Sequence, residues 1–131
     1  MNVLIDTSIW IDHFRNGNDL LIRLIEMDSV LMHPMVLGEL ACGTPPKPRS
    51  QTLSDMELLK SANQASLTEI MLFIERNKLY GLGCGLIDMN LLASTVITPD
   101  TKLWTYDKRL NKLANKLKVI YQPVSTEPRP S

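Results

Sequence analysis

Cysteine is scarce in this chain of 131 residues, which has only two, and long apolar runs are absent. Cys42 and Cys84 are far apart and lack the CxxC spacing of a zinc site. We therefore expect two free thiols, buried or half-buried, in a reducing compartment. No run approaches the roughly 20 apolar residues that a membrane-spanning helix needs. The residues before Asp6 contain no basic segment and no long apolar segment, so we expect no signal peptide and predict a cytoplasmic protein.

An excess of charge of one sign is also missing. The chain has 14 basic and 14 acidic residues, and its isoelectric point is about 6.7. This balance argues against a protein that holds nucleic acid through bulk positive charge alone. It still allows a local basic patch beside an acidic pocket.

Basic residues do cluster in two places. Lys108, Arg109 and Lys112 belong to the last predicted helix, and Lys47 and Arg49 belong to a proline-rich loop. A charge run by itself usually marks a solvated face. Next to an acidic metal pocket, the same side chains could hold a phosphate backbone, so these five are candidates for nucleic-acid binding.

Several catalytic motifs are missing. His13 and His33 lack the spacing of HExxH or of a zinc finger, and there is no P-loop. Ser8 is not part of a GxSxG motif, which argues against a serine hydrolase. No Asp-x-Asp-x-Thr pattern follows the first predicted strand, which argues against the common aspartyl-phosphate phosphatases.

Short apolar runs alternate with helical patterns along the chain. Strands are predicted at residues 2–6, 30–33, 102–105 and 119–121. Helices are predicted at residues 7–14, from 18 or 19 onward, and at 34–42, 54–59, 67–77, 88–97 and 108–117. This alternation predicts an α/β fold with a mostly parallel sheet covered on both faces. We expect one domain over residues 1–121 and a loose tail over 122–131, which carries three prolines.

Two of the predicted helices have specific start signals. Pro34 stands where helices favour proline, at the first position, and Gly43 ends that helix. Ser66 precedes another helix with Glu69 three residues later, which is the pattern of a capping box. Between residues 44 and 50 the prolines predict a loop.

Lone acidic residues recur in apolar surroundings. Asp6 closes the first apolar run, and Glu39, Asp88 and Asp107 lie in or just after other apolar segments. In parallel sheets, sites form at the carboxyl ends of the strands, so all four acids can reach one edge. Carboxylates that converge repel each other unless cations join them. The pattern therefore predicts a divalent-metal site.

Each aspartate also has an ordinary structural interpretation. Asp6, Asp88 and Asp107 stand at predicted helix starts, where an aspartate can cap the helix or interact favourably with its dipole. Thr7 or Ser8 could cap the first helix equally well, so capping does not require Asp6.

Glu39 and Asn90 have alternatives of their own. Glu39 is the single charged residue of an otherwise apolar helical segment, so it is either exposed at an edge or faces a polar pocket. Asn90, two residues after Asp88, could cap the helix or add a neutral ligand.

Four short motifs, in order, resemble those of PIN-domain ribonucleases, and in particular the VapC-type toxins of bacterial toxin–antitoxin pairs. The resemblance runs from residue 2 to about residue 121. It departs at Met89-Asn90, where small or apolar residues are more usual, and residues 44–80 match only in general character. The motifs are Val3-Leu4-Ile5-Asp6-Thr7-Ser8-x-Trp10-Ile11, Gly38-Glu39-Leu40-x-x-Gly43, Ile87-Asp88-x-x-Leu91-x-Ala93-Ser94 and Leu103-Trp104-Thr105-x-Asp107.

The resemblance implies a three-layer α/β/α fold and an RNA substrate. It also implies a small VapB-like antitoxin that blocks the site, and a homodimer. Thr105 and Ser8 would orient the acids or the attacking water. The ligands of Mg²⁺ or Mn²⁺ would be Asp6, Glu39, Asp88 and Asp107.

The expected reaction is metal-dependent hydrolysis of RNA phosphodiester bonds by the toxin of a type II pair. An activated water would attack in line and leave a 5′-phosphate and a 3′-hydroxyl, so no nucleophilic side chain is needed. Two alternatives stay open: a PIN-like module that binds RNA without turnover, and a metal-dependent phosphatase.

Overall fold

The computed structural model describes residues 1–123. Within this range the strands are Asn2–Ile5 (β1), Val30–Leu31 (β2) and Thr101–Trp104 (β3). The helices are Thr7–Asn16 (α1), Asp19–Glu26 (α2), Pro34–Cys42 (α3), Arg49–Glu57 (α4), Leu67–Arg76 (α5), Leu86–Ile97 (α6) and Lys108–Lys116 (α7). Of the expected tail, residues 124–131 lie outside the described range.

The three strands form one parallel sheet in the order β2-β1-β3. Val3, Leu4 and Ile5 of the central strand are all fully buried. Because successive side chains of a strand point to opposite faces, this burial requires cover on both sides of the sheet. The prediction of an α/β fold with a parallel sheet flanked by helices is confirmed.

Helices α6 and α7 show two ways of covering the sheet. In α6, Met89, Leu91, Leu92 and Ala93 are all buried, so the helix is apolar nearly all round, as expected of a core helix. Helix α7 is amphipathic: it buries Leu110, Leu113 and Ala114 and turns its lysines to solvent. Burial of one leucine side chain contributes roughly 1.5–3 kcal/mol, so these two helices hold the sheet firmly.

Several predicted helix starts are confirmed. Pro34 occupies the first turn of α3. Ser66 and Glu69 form the capping box of α5, with the Ser66 Oγ accepting from the Glu69 N–H at 3.1 Å. Asn18 caps α2, because its Oδ1 accepts from the N–H of Leu21 at 2.9 Å.

His33 has a structural role that the sequence did not suggest. Its side chain is 1% exposed, and its Nδ1 caps α3 by accepting from the N–H of Met35 at 3.0 Å. Nδ1 is therefore unprotonated, and Nε2–H is left to donate to Ser94 Oγ on α6, 3.0 Å away. Burial lowers the pKa of His33, and the nearby Asn90 side chain opposes this shift. The neutral imidazole thus ties the start of α3 to α6.

The predicted capping role of Asn90 was wrong, and its role as a neutral ligand stays a prediction. Asn90 lies within α6 rather than at its cap, and its buried Oδ1 has no hydrogen-bonding partner within residues 1–123. Its side chain lies beside His33, as the effect on that pKa indicates. It therefore belongs to the polar contact between α3 and α6.

Two segment predictions and one burial prediction need correction. Helix α4 begins at Arg49, five residues before the predicted start. The prediction missed this start because the helix is mostly exposed and buries only Met56, so its first turn shows no apolar periodicity. The predicted last strand is a single parallel bridge between Ile120 and Leu103. Cys42 is exposed rather than buried, whereas Cys84 is half-buried as expected.

No helix within residues 1–123 has the length and apolar character needed to cross a membrane.

Candidate active site

Asp6 lies at the carboxyl end of the central strand. Its backbone N–H donates to the carbonyl oxygen of Trp104 at 3.0 Å, which extends the pairing of β1 with β3 by one residue. The side chain is only 7% exposed. A carboxylate in this position needs hydrogen-bonding or ionic partners, because burying a charge without them is costly.

Two hydroxyl groups hold the Asp6 carboxylate. Ser8 Oγ donates to Oδ2 at 2.9 Å, and Thr105 Oγ1 donates to the same oxygen at 2.7 Å. Both bonds reach Oδ2, so Oδ1 has no hydrogen-bonding partner within residues 1–123. The carboxylate is thus oriented with one oxygen left to bind a cation.

The expected capping by Thr7 or Ser8 was wrong. Asp6 itself occupies the N-cap position of α1, but its side chain makes no capping hydrogen bond because both donors come from hydroxyl groups. Thr7 and Ser8 are instead the first residues of the helix. Their hydroxyls are directed to the acids: Thr7 Oγ1 donates to Glu39 Oε1 at 2.8 Å. Thr7 was missed as a site residue, and the signal was its position directly after Asp6.

Thr105 connects Asp6 to Asp107. Its buried hydroxyl donates to Asp6 and accepts from the backbone N–H of Asp107 at 3.0 Å. Asp107 caps α7, because its Oδ1 accepts from the N–H of Leu110 at 2.9 Å. Capping occupies only one carboxylate oxygen, so the ordinary interpretation of Asp107 and a role as ligand are compatible.

Replacement of Thr105 by valine is expected to lower metal-dependent activity by about 10–100-fold, the usual effect of losing a group that orients a metal ligand. The change also leaves the Asp107 N–H without its acceptor, which should cost about 1–3 kcal/mol of stability. Steady-state kinetics and thermal unfolding measure the two effects. Thr105→Ser is the matched control, because it keeps the hydroxyl, and full activity of Thr105→Val would contradict the role.

Glu39 lies in α3 with an exposed side chain. Its bond to Thr7 brings it towards the start of α1, across from Asp6. A cavity of about 320 Å³ opens beside it, lined by Phe14 and Arg15 from the end of α1 and by the loop after α3. Both predicted alternatives for Glu39, an exposed edge and a polar pocket, are therefore partly correct.

Asp88 carries the electrostatic signature of a crowded acidic site. It lies half-buried in the first turn of α6. Burial raises its pKa, and so do the negative charges of Asp107, Asp6 and Glu39, against the lowering effect of a backbone hydrogen bond at Gly85. All four acids are thus close enough for their charges to interact, although they come from four separate segments.

Cys84 borders this group of acids. Burial raises the pKa of its thiol, and so do the charges of Asp88 and Asp107, while Arg109 acts in the opposite direction. The thiol therefore stays protonated at neutral pH, and a protonated thiol is a poor metal ligand.

The donor set fits a hard divalent cation. Within residues 1–123, no three histidine, cysteine, aspartate or glutamate side chains are close enough to complete a ligand set by themselves. Mg²⁺ usually keeps several waters and is held by only one or two carboxylates, so a loose arrangement of carboxylate oxygens suits it. Carboxylate and water ligands also suit Mn²⁺. The unpaired Oδ1 of Asp6 and the mutual repulsion at Asp88 are the observations that favour a cation here.

The candidate basic residues fall into two groups. The first group has exposed side chains and consists of Lys47, Lys108 and Lys112. Arg49 donates to the carbonyl oxygens of Ala41 and Gly43, so it stabilises the end of α3.

Arg109 is also engaged within the protein. Its Nη1 donates to the Gly83 carbonyl oxygen at 3.4 Å. Gly83 has a φ of +89°, and the Arg109 Cδ lies 3.0 Å from where a Cβ would stand, so a larger residue would strain the backbone here. The contact joins the start of α7 to the loop that leads into α6. It therefore helps to place Asp107 and Asp88.

Comparison with known proteins shows which family the chain belongs to. The PIN domain family model matches residues 3–116, a range that includes all four acids. Two relatives, each named Ribonuclease VapC32 and from two strains of Mycobacterium tuberculosis, are 37% identical over 108 residues, which cover 82% of this chain and 86% of each relative. The chain belongs to the PIN-domain family.

Proposed function

We propose that this protein is a Mg²⁺- or Mn²⁺-dependent endoribonuclease and the toxin of a bacterial type II toxin–antitoxin pair. The observation that carries the proposal is the Asp6 carboxylate, held through Oδ2 by two hydroxyls at the carboxyl edge of the sheet. The charges of three neighbouring acids also raise the pKa of Asp88, which supports a cation at this edge. The relatives are named as ribonucleases, which supports RNA as the substrate.

The four acids that would hold the cation are positioned by different partners. Asp6 and Asp107 are positioned through Thr105, and Glu39 is positioned through Thr7. Asp88 has a raised pKa, so cation binding must compete with its proton more than at an ordinary aspartate. When bound, the metal lowers the pKa of a water and neutralises charge on the scissile phosphate.

The side chains at this edge suit hydrolysis by an activated water. The hydroxyls of Ser8 and Thr105 both donate to Asp6, so neither is set up as a nucleophile. In-line attack then leaves a 5′-phosphate and a 3′-hydroxyl, and no covalent enzyme intermediate is formed. Five exposed residues remain our candidates for contacts with the RNA backbone: Lys47, Arg49, Lys108, Arg109 and Lys112.

The function is tested by incubating the purified protein with a mixed RNA pool in Mg²⁺, in Mn²⁺ and in EDTA. We expect cleavage in either metal and a loss of at least about 100-fold in EDTA, because the carboxylates alone cannot activate water. A small phosphate ester, assayed in parallel, should not be hydrolysed. Cleavage that persists in EDTA would refute the metal mechanism, RNA binding without cleavage in Mn²⁺ would favour a binding module, and turnover of the ester would favour a phosphatase.

We also propose a small VapB-like antitoxin as partner and a homodimer as the assembly. The relatives carry the name of VapC proteins, which supports the antitoxin. The cavity beside Glu39 offers a peptide access to that acid. Exposed apolar side chains of α5 and of the start of α6 support a further protein contact. They are Leu67, Met71, Leu72, Leu86 and Ile87.

A further inference from the structure

Tyr106 stands between two site residues, Thr105 and Asp107, and 52% of it is exposed. Its backbone N–H donates to Ser8 Oγ at 3.0 Å, and Ser8 in turn donates to Asp6. The position of this tyrosine is therefore coupled to the Asp6 carboxylate through a single hydroxyl.

The far end of the Tyr106 side chain is anchored as well. Its hydroxyl donates to Asp12 Oδ2 at 3.3 Å and accepts from Asn18 Nδ2 at 3.2 Å. Ser8 and Asp12 are four residues apart on α1 and so lie on the same face of that helix. The side chain consequently runs along one turn of α1, fixed at both ends.

Other contacts complete this framework. Asn18 is itself immobilised as the cap of α2. The Trp104 ring meets the Tyr106 ring edge to face, with centroids 6.2 Å apart and an angle of 81°. An exposed tyrosine on a surface usually rotates freely, whereas this one is held by two helices and an aromatic neighbour. Such a preorganised ring can receive a planar ligand with little loss of conformational entropy.

The charge beside the ring restricts what can bind there. Asp12 accepts from Asn16 at 3.0 Å, and this hydrogen bond is the largest cause of its lowered pKa, so the carboxylate is ionised at neutral pH. Its negative charge disfavours a phosphate at this position. A neutral, planar group is favoured instead.

We propose that Tyr106 is a stacking platform for a nucleobase next to the scissile phosphate. The proposal rests on the proposed function, because it takes RNA as the ligand. Stacking of a base on an aromatic side chain tolerates all four bases, and loss of the ring typically weakens binding by about 5–150-fold per base. Tyr106 would thus align the nucleotide beside the bond that Asp6 and its neighbours cleave.

The test combines a protein variant with an RNA variant. Tyr106→Leu removes the ring but keeps apolar bulk, and an abasic nucleotide replaces each base around the cleaved bond in turn. We expect the wild type to lose about 5–150-fold in kcat/KM at one abasic position, and Tyr106→Leu to lose the same on intact RNA. The variant should then be insensitive to the abasic site, because both changes remove one interaction.

Two further variants separate stacking from structure. Tyr106→Trp should restore activity, because it keeps an aromatic face. Tyr80→Leu is the matched control: Tyr80 is 59% exposed and outside the hydrogen-bond network of the acids, so its loss should leave cleavage unchanged. Equal losses of Tyr106→Leu on intact and abasic RNA, or no loss on either, would overturn the proposal. So would a loss confined to binding of a partner protein.

A binding measurement keeps this test independent of cleavage. An oligonucleotide with 2-aminopurine at the sensitive position, or at each position in turn if nothing is cleaved, should be quenched by the wild type and not by Tyr106→Leu. Quenching without cleavage would sink the proposed nuclease function and keep the stacking site. Cleavage with equal quenching by both proteins would overturn the stacking site and support the nuclease function.

Discussion

The Asp6→Asn protein is expected to cleave RNA at least about 100-fold more slowly than the wild type in Mg²⁺, and to remain folded. Loss of a group that merely orients a ligand typically costs 10–100-fold, so loss of a ligand charge should cost no less. The amide keeps the shape of the side chain. Its oxygen can still accept from Ser8 and Thr105 at the position of Oδ2.

The same two hydroxyls make this substitution especially harmful to metal binding. With the amide oxygen held by them, the amide nitrogen is turned to the position of Oδ1, where it presents protons to the cation. Initial rates across a Mg²⁺ series measure the loss, and thermal unfolding checks the fold. Asp55→Asn is the matched control, because Asp55 is exposed on α4 and, within residues 1–123, its carboxylate accepts only from Gln51. If the Asp6→Asn protein cleaved RNA at the wild-type rate, Asp6 would not be a metal ligand.

The Asp88→Asn protein should likewise lose about 100-fold or more in cleavage, yet unfold at a higher temperature than the wild type in EDTA. The pKa of Asp88 is raised in the folded protein by burial and by the charges of Asp107, Asp6 and Glu39. The folded state therefore binds the proton more tightly than the unfolded state does. Stability from this residue is fully present below the unfolded pKa and is lost as the pH rises through the folded pKa.

At neutral pH the wild type thus carries an unfavourable charge that asparagine removes. The asparagine also loses the favourable interaction of a carboxylate with the start of α6, about 0.3–1 kcal/mol, but the raised pKa indicates that repulsion and burial outweigh it. The gain in unfolding temperature should shrink as the pH falls towards about 4, the ordinary range of an aspartate.

Thermal unfolding with and without Mg²⁺ is the decisive comparison for Asp88. Mg²⁺ should raise the unfolding temperature of the wild type by binding the folded state, and it should raise that of Asp88→Asn less. Asp19→Asn, at an exposed position in α2, serves as the control for a general loss of negative charge. A lower unfolding temperature of Asp88→Asn in EDTA at neutral pH would show that the acids do not repel each other as proposed.

The two variants change acids whose surroundings have opposite effects on the stability of the protein. Asp6 is stabilised by protein hydroxyls, whereas Asp88 is destabilised by its acidic neighbours. Under the proposed function, binding of a cation would recover this lost stability and so couple folding to metal occupancy.

Much of this architecture could be predicted from local sequence patterns. Apolar runs such as Val3-Leu4-Ile5 in a chain of alternating helical segments predict buried parallel strands, and these three residues of β1 are fully buried. Pro34 and the Ser66–Glu69 pair mark helix starts that the structure confirms. These signals work because each depends on neighbours within a few residues along the chain.

The acids illustrate where such patterns stop. An isolated aspartate after a strand is compatible with a cap or a ligand, and Asp107 caps α7 while facing the other acids. Arg49 and Arg109 are candidates for nucleic-acid binding in the sequence, and the structure shows that both also donate to backbone carbonyls. Charge in the sequence does not reveal whether a partner lies nearby in space.

The sequence by itself determined the alternation of strands and helices, the position of each acid relative to its strand or helix, and the motifs of the PIN-domain family. Only the tertiary structure decided how those acids are held. Thr105 and Asp6 are 99 residues apart in the chain and 2.7 Å apart between their oxygens. His33 joins Ser94 across 61 residues, and the same packing anchors Tyr106 to Asp12 across 94. Such partners depend on how strands and helices pack together, and no short-range pattern encodes that packing.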